Sequence, residues 1–327
     1  MRRFFPALIL LAVFMSACST LATSTSNAVV VPTANAPEPT MIPSPIPPQF
    51  VVLAYATDGI FADIIPYEKL THINYSFLTP KADGTFNPIK NGWKLKQIVE
   101  TAHEHDVRVC ISVGGWGWDA QFEEMAANPE TRKIFVQNLK AFVDEYQLDG
   151  VDMDWEYPDP GVSAQNFLRL IQELRAAMPD RLLTTAVVSH GDEHGLGVPA
   201  ESFELFDFVN VMTYDGSDHG TMEQFERGLE YWSERGLPKE KIVLGVPFYG
   251  DPNLPYFKIV QADPNAAQTD TFEYYGTTYH YNGIPTIQTK TRIAMDQARG
   301  IMFWTLDHDT QGELSLVNAI HETVHKP

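Results

Sequence analysis

The chain is poor in cysteine, poor in positive charge, and without an apolar run long enough to cross a bilayer. Only Cys18 and Cys110 occur in 327 residues. The first falls in a segment that reads as a processing signal, so no disulfide framework serves the folded part, and its stability has to come from a packed core. Lys and Arg number 23 against 42 Asp and Glu, a formal charge of −19. No stretch gathers the basic residues, so the backbone of a nucleic acid would be repelled, and that class of partner is excluded. The apolar stretch from Phe4 to Val13 is shorter than the roughly 20 residues a spanning helix needs. What is abundant is core material: 44% of residues are hydrophobic and 12% aromatic, which argues against global disorder.

The amino terminus reads Met1-Arg2-Arg3, the apolar stretch, then Met15-Ser16-Ala17-Cys18. Two positive charges, a short apolar run and small residues before a cut describe an export signal. With Cys18 at the junction it resembles a bacterial lipoprotein signal, in which the cysteine is lipidated and becomes the new terminus. Met15 departs from the Leu more common there, and an ordinary signal peptide with an incidental Cys is the alternative. Residues 19–49 are dominated by Thr, Ser, Ala, Asn and Pro with Glu38 as the one charge, and seven prolines fall between Pro32 and Pro48. That composition cannot bury enough apolar surface to fold and reads as an extended tether. The expectation is a signal over 1–18, a tether over 19–49 and a folded domain over 50–327. The domain would be exported and held at the extracellular face or cell envelope by lipid on Cys18, its sole link to a membrane.

From Phe50 onward short apolar runs alternate with amphipathic stretches. Strands are predicted at Val51–Ala54, Ile73–Leu78, Val107–Val113, Gly150–Trp155, Leu182–Val188, Phe208–Thr213, Ile242–Tyr249 and Ile301–Leu306. Between them, Phe135, Leu139, Phe142 and Tyr146, or Phe167, Leu170, Ile171 and Leu174, recur at helical spacing, and Ser163 is a candidate N-cap of the second helix. Eight strand–helix repeats in about 280 residues fit an α/β fold of the closed (β/α)8 barrel type better than a doubly wound sheet. In such a barrel the chemistry sits at the carboxyl ends of the strands.

The fourth strand ends Asp149-Gly150-Val151-Asp152-Met153-Asp154-Trp155-Glu156-Tyr157-Pro158. Side chains alternate with period two, so Asp152, Asp154 and Glu156 share one side and Val151, Met153 and Trp155 the other. The apolar set suits the surrounding helices, which leaves three carboxylates in the barrel mouth. Like charges that close cannot all ionise freely, so at least one is pushed up. A raised carboxylic acid beside a carboxylate is the requirement of acid-catalysed glycoside cleavage. A solvated acidic strand end or a divalent-metal site are the alternatives, and the flanking Trp155 and Tyr157 disfavour the solvated one.

The series Asp149-x-x-Asp152-x-Asp154-x-Glu156 resembles the signature of glycoside hydrolase family 18, the chitinase and endo-β-N-acetylglucosaminidase family. Ser112-Val113-Gly114-Gly115-Trp116, Met212-Thr213-Tyr214-Asp215 and Gly300-Ile301-Met302-Phe303-Trp304 are similar to its motifs on the third, sixth and eighth strands, in the expected order from about Val51 to Asp309. The resemblance implies a retaining, substrate-assisted hydrolase of β-1,4 bonds in N-acetylglucosamine polymers that needs no metal or organic cofactor. Glu156 would be the acid and then the base, Asp154 would orient the acetamido N–H, Asp152 would share a proton with Asp154, and Tyr214 would bond the acetamido oxygen. Trp304 would form the floor for the sugar, with Trp116, Tyr55, Phe77, Met212, Gly115, Asp215 and Tyr249 as further contacts; for Tyr55 and Phe77 a core role is equally open. Chitin is the expected substrate. N-glycans, peptidoglycan or a catalytically silent chitin-binding lectin are the alternatives, and the full acidic set favours activity. A monomer is expected.

Two departures from the family bear on the cleft. Only about thirty residues, Asp251 to Gly283, stand where many members insert a sizeable module, so no large insertion domain and an open, shallow cleft are expected. Asp251-Pro252 follows Tyr249-Gly250 where an Arg is frequent. His190-Gly191-Asp192-Glu193-His194 could be read as metal ligands but is preferred as a polar rim loop, and His103 and His105 are expected at a solvated helix end on the opposite face.

Overall fold

The computed structural model describes residues 50–326; the expected signal, lipidation site and tether lie outside the described residues. Eight strands form one closed, all-parallel barrel: β1 (Val51–Thr57), β2 (His72–Leu78), β3 (Arg108–Gly114), β4 (Gly150–Asp154), β5 (Leu182–Val188), β6 (Phe208–Met212), β7 (Ile242–Pro247) and β8 (Gly300–Trp304). Each sits where alternating or continuous apolar residues put it. The seventh stops two residues short of expectation: Pro247, which has no N–H for a ladder, is its last residue, and Tyr249–Gly250 pairs instead with Leu254–Pro255 in a two-residue antiparallel ribbon.

The core has two layers, as inward and outward faces of a barrel require. The larger lies between strands and helices and takes Val151, Met153 and Trp155, with Trp155 stacked on Phe122 at 5.1 Å. The smaller fills the barrel: Val51, Leu53, Tyr55, Ala186, Phe208, Met212, Tyr214, Val243 and Met302. The alternation on β4 therefore sorts its residues as the pattern of charges demands, carboxylates in and apolar groups out.

The helix Val162–Ala177 corrects one expectation. Gly161 caps it, at φ 98°, and Ser163 lies inside the first turn. The Ser163 hydroxyl accepts from the Asp159 N–H at 3.0 Å and donates to Glu123, so it fastens the approach to the helix rather than the end of it. Asp149, the first acid of the β4 series, faces the end of the barrel away from the carboxylates. It accepts from the Val109 N–H at 2.7 Å and contacts His103 at 2.9 Å. The excursion after β7 contains the helix Tyr256–Ala262 and the antiparallel hairpin Thr271–Tyr274 with Thr277–His280, and no large insertion domain occurs there. Among the described residues no group of three or more His, Cys, Asp or Glu could hold a metal ion. His194 stacks on Tyr157 at 4.8 Å.

Candidate active site

The barrel register builds the site around Asp152. On β4 this residue pairs across to Ser112 of β3 and Thr184 of β5, so two hydroxyls face its carboxylate. Thr184 donates to Oδ1 at 2.6 Å and Ser112 to Oδ2 at 2.9 Å. Tyr55 of β1 donates to Oδ2 at 2.8 Å, and Asn210 of β6 donates to Oδ1 at 3.0 Å and to the Tyr55 hydroxyl at 3.1 Å. Asp152 is fully buried. Burial pushes its carboxyl up and the donated hydrogen bonds pull it back, because donors stabilise the charged form.

Two residues on, Asp154 has no such company. It is buried, and its Oδ1 has no hydrogen-bond partner. Burial first, then the charges of Glu156 and Asp152, drive its carboxyl well above the usual range. Two residues further Glu156 reaches the cavity, pushed up to about 7 by burial and secondly by Asp215. The three carboxylates thus differ by environment: Asp152 is raised by burial against the opposing pull of four donors, Asp154 is driven well above the usual range, and Glu156 is pushed up to about 7.

The turn after β3 lets the neighbours approach. Gly114 has φ 114°, and a Cβ there would stand 2.3 Å from the Asp154 carbonyl. Gly115 has φ 88°, would meet the Phe77 ring at 2.8 Å, and donates its N–H to the Asp154 carbonyl at 2.9 Å. Only glycine fits two consecutive left-handed positions with such contacts.

A cavity of about 250 Å³ opens over the acids, lined by Tyr55, Phe77, Gly115, Trp116, Asp154, Glu156, Met212, Tyr214, Asp215 and Trp304. Every one of these was nominated by the sequence. Asp152 lies beneath them, and Tyr249 stands behind Asp215, to which its hydroxyl donates. Trp304 and Phe77 stack at 5.4 Å and 22°, and Tyr55 leans on Trp304 at 5.8 Å, giving a flat apolar floor. Tyr55 is both wall and ligand of Asp152, so neither reading of it alone was complete. Trp116 stands 80% exposed at the rim. The Tyr214 hydroxyl has Met302 Sδ, at 3.8 Å, as its acceptor, a weak partner that leaves it free to donate into the cavity. Sequence reasoning missed Ser112, Thr184 and Asn210 as ligands of Asp152, Ser112 entering only as the start of the third-strand motif. The signal was available for Asn210, which alternates inward with Met212 on β6.

The family model described as glycosyl hydrolases family 18 matches residues 51–309. Chitinase 1 of Aphanocladium album is 25% identical over 338 residues, covering 79% of this chain and 80% of that protein. The probable endochitinase of Caenorhabditis elegans is 31% identical over 222 residues, covering 55% of this chain and 36% of that protein. A chitinase from Bacteroides thetaiotaomicron has a solved structure that superposes with a TM-score of 0.75 at 31% identity, covering 84% of this chain and 96% of that one.

The charge arrangement is measurable without any ligand. In difference infrared spectra of the wild type against Glu156→Gln, a carboxylic C=O band should titrate near pH 7. Substituting Asp215→Asn should move that midpoint to lower pH, since one negative neighbour is removed. A Glu156 band that disappears by pH 5 would show the acid to be unperturbed.

Proposed function

Because this chain belongs to glycosyl hydrolases family 18 and is a glycoside hydrolase, we propose that it cleaves β-1,4 bonds of N-acetylglucosamine polymers, chitin first, with retention and with the substrate's own acetamido group as nucleophile. The observation that carries the reading is the ladder Asp152–Asp154–Glu156, in which Asp154 and Glu156 line the cavity and Glu156, pushed up to about 7, is poised to exchange a proton with it. The relatives named chitinases support the substrate class.

The steps follow from the environments. A pyranose packs its C–H face on Trp304 while its hydroxyls meet Asp215. Glu156 gives its proton to the glycosidic oxygen as the C1–O bond breaks. The acetamido carbonyl oxygen attacks C1 and forms an oxazolinium ion, its N–H held by Asp154 and its oxygen by the Tyr214 hydroxyl. Glu156, now a carboxylate, takes a proton from water as that water adds to C1 and the C1–O bond of the oxazolinium ion opens, which regenerates the acetamido group and restores the acid. Asp152, with all four acceptor positions in use, stays the anion of the pair and the proton stays on Asp154. A cavity below the roughly 300–1,000 Å³ of a drug-sized pocket suits one sugar and its acetamido arm. The four donors present on Asp152 and the intact acid favour turnover over a silent lectin.

The Glu156→Gln variant should keep oligosaccharide binding and lose kcat by about 10²–10⁴-fold, followed with a chromogenic N-acetylglucosamine oligomer. The sign of the pH effect is set by the raised acid. Glu156 works protonated, so the wild-type kcat/KM should hold below pH 7 and fall as pH rises through about 7. An unperturbed Glu, near 4.3, would already be lost at pH 6. A variant with wild-type kcat would contradict the assignment.

We also propose that Cys18 carries lipid and holds the domain at the outer face of a membrane. Cys18→Ala should release the full chain into the soluble fraction on cell fractionation. Its retention in the membrane would remove lipidation as the anchor.

A further inference from the structure

Asp215 occupies an uncommon backbone position for its type of side chain: φ is 63°, the left-handed region that L residues other than Asn, Asp and Gly enter rarely. Something has to hold it there, because its carboxylate stands at the exposed rim beside the cavity. The buried ring of His219 lies directly against it. The Asp215 N–H donates to His219 Nδ1 at 3.0 Å, and His219 Nε2 faces the Tyr249 carbonyl at 3.3 Å. An N–H pointing at Nδ1 requires a lone pair there, so Nε2 carries the hydrogen and gives it to Tyr249. The ring packs on the Tyr249 ring at 4.9 Å, and the Tyr249 hydroxyl donates back to Asp215. One imidazole therefore fastens the backbone of Asp215 and the backbone of the residue that holds its carboxylate.

The loop that carries His219 is itself clamped. Gln224 donates to the Asp215 carbonyl at 2.7 Å and accepts from the Gly220 N–H at 3.0 Å. The buried ammonium of Lys290 and the amide of Asn282 each donate to the Gly220 carbonyl at 2.7 Å. These groups pin the loop on both sides of the histidine and leave its ring one orientation. Asp215 in turn is held below the usual carboxylate range: burial works the other way, and the hydroxyl of Tyr249 donates to its charged form. It remains charged beside Glu156.

From this arrangement we infer that His219 is a positioning residue of the hydrolytic site, its neutral imidazole locking Asp215 in the left-handed conformation that keeps the Asp215 carboxylate beside Glu156 and the bound sugar. The inference rests on the hydrolase reading above. It adds to that reading a residue outside the cavity, acting through Asp215 and touching no substrate.

Two amides separate the two ends of the ring. His219→Asn places an acceptor where Nδ1 was and should hold the Asp215 N–H. His219→Gln reaches the Nε2 position and serves Tyr249 alone, and His219→Leu serves neither. With a chromogenic N-acetylglucosamine oligomer, kcat should stay within about threefold of wild type for Asn and fall at least about tenfold for Gln and Leu, as misplacement of a contact near the chemistry does. The high-pH limb of kcat/KM should move to lower pH in Gln and Leu and stay in place in Asn, because only the former release the Asp215 charge from Glu156. Asp215→Asn should show the same movement, and adding His219→Leu to it should give no further movement. Lys290, lowered to about 7 by burial and acted on by the charge of Asp270, is intact in every variant, and a limb that belonged to it would stay in place in Asp215→Asn. Should the Leu variant not fold, the Asn and Gln pair makes the same comparison. Equal kcat and equal limbs for Asn and Gln would overturn the positioning role while the wild type still hydrolyses. A wild type that binds but never cleaves would overturn the hydrolase reading instead.

Discussion

A carboxylate at the axis of a barrel, cut off from water, must find its solvation in the protein. Asp152 is fully buried, and leaving an ion there unpaired would cost many kcal/mol. It is solvated by four donors from four strands: Tyr55 of β1, Ser112 of β3, Thr184 of β5 and Asn210 of β6. That constraint couples folding to the site. A slip of one residue on any of those strands would turn its donor outward and strand the anion, so the register of half the barrel is tied to one side chain.

The rest of the chemistry is an electrostatic consequence. Asp154, two residues along the same strand and without donors of its own, is driven toward its acid form by burial and by its two acidic neighbours. Glu156, at the end of the series, is less deeply placed and is left near neutrality. The strand thus converts a period-two repeat into a gradient of proton affinity. The aromatic floor of Trp304 and Phe77 supplies a surface for a sugar ring, and it lowers the local dielectric that sharpens the gradient. Asp152 is sequestered, Asp154 is favoured as the acid, Glu156 has the proton to give and Asp215 is fastened by the Tyr249 hydroxyl, so in the proposed mechanism the attacking atom comes with the substrate.

Much of this was legible in the sequence, for a physical reason. Alternation on β4 left no doubt which side the acids took, and the tryptophan, glycine and tyrosine motifs fell at strand ends, where a barrel puts its chemistry. The residues that escaped are those whose side chains say little by themselves. Thr184 sits in a run, Leu182–Val188, that reads as pure strand, and its β-branched shape hides its hydroxyl among neighbours chosen for packing. Asn210 carries a clearer signal, a polar side chain in the apolar frame of β6, yet its partner Asp152 lies 58 residues away in the chain. Ser163 misled for the opposite reason. A serine before an apolar helical repeat is a good cap, but here Gly161 begins the helix and the hydroxyl is drawn back to Asp159 and across to Glu123. His219 shows the limit most clearly. Its spacing from Asp215 looks like an ordinary polar loop, and only the fold brings the Tyr249 carbonyl to its other nitrogen.

The central claim is that the nucleophile belongs to the substrate. The most direct measurement compares fully acetylated and fully deacetylated oligomers of the same length, with kcat and binding recorded separately for each. Deacetylation removes the attacking oxygen and leaves the ring, its hydroxyls and the stacking on Trp304 in place. An intramolecular nucleophile of this kind contributes roughly 7–11 kcal/mol to the lowering of the barrier, so binding should weaken modestly while cleavage falls by several orders of magnitude. Equal rates on the two oligomers would contradict the account and return the role of nucleophile to a carboxylate of the protein.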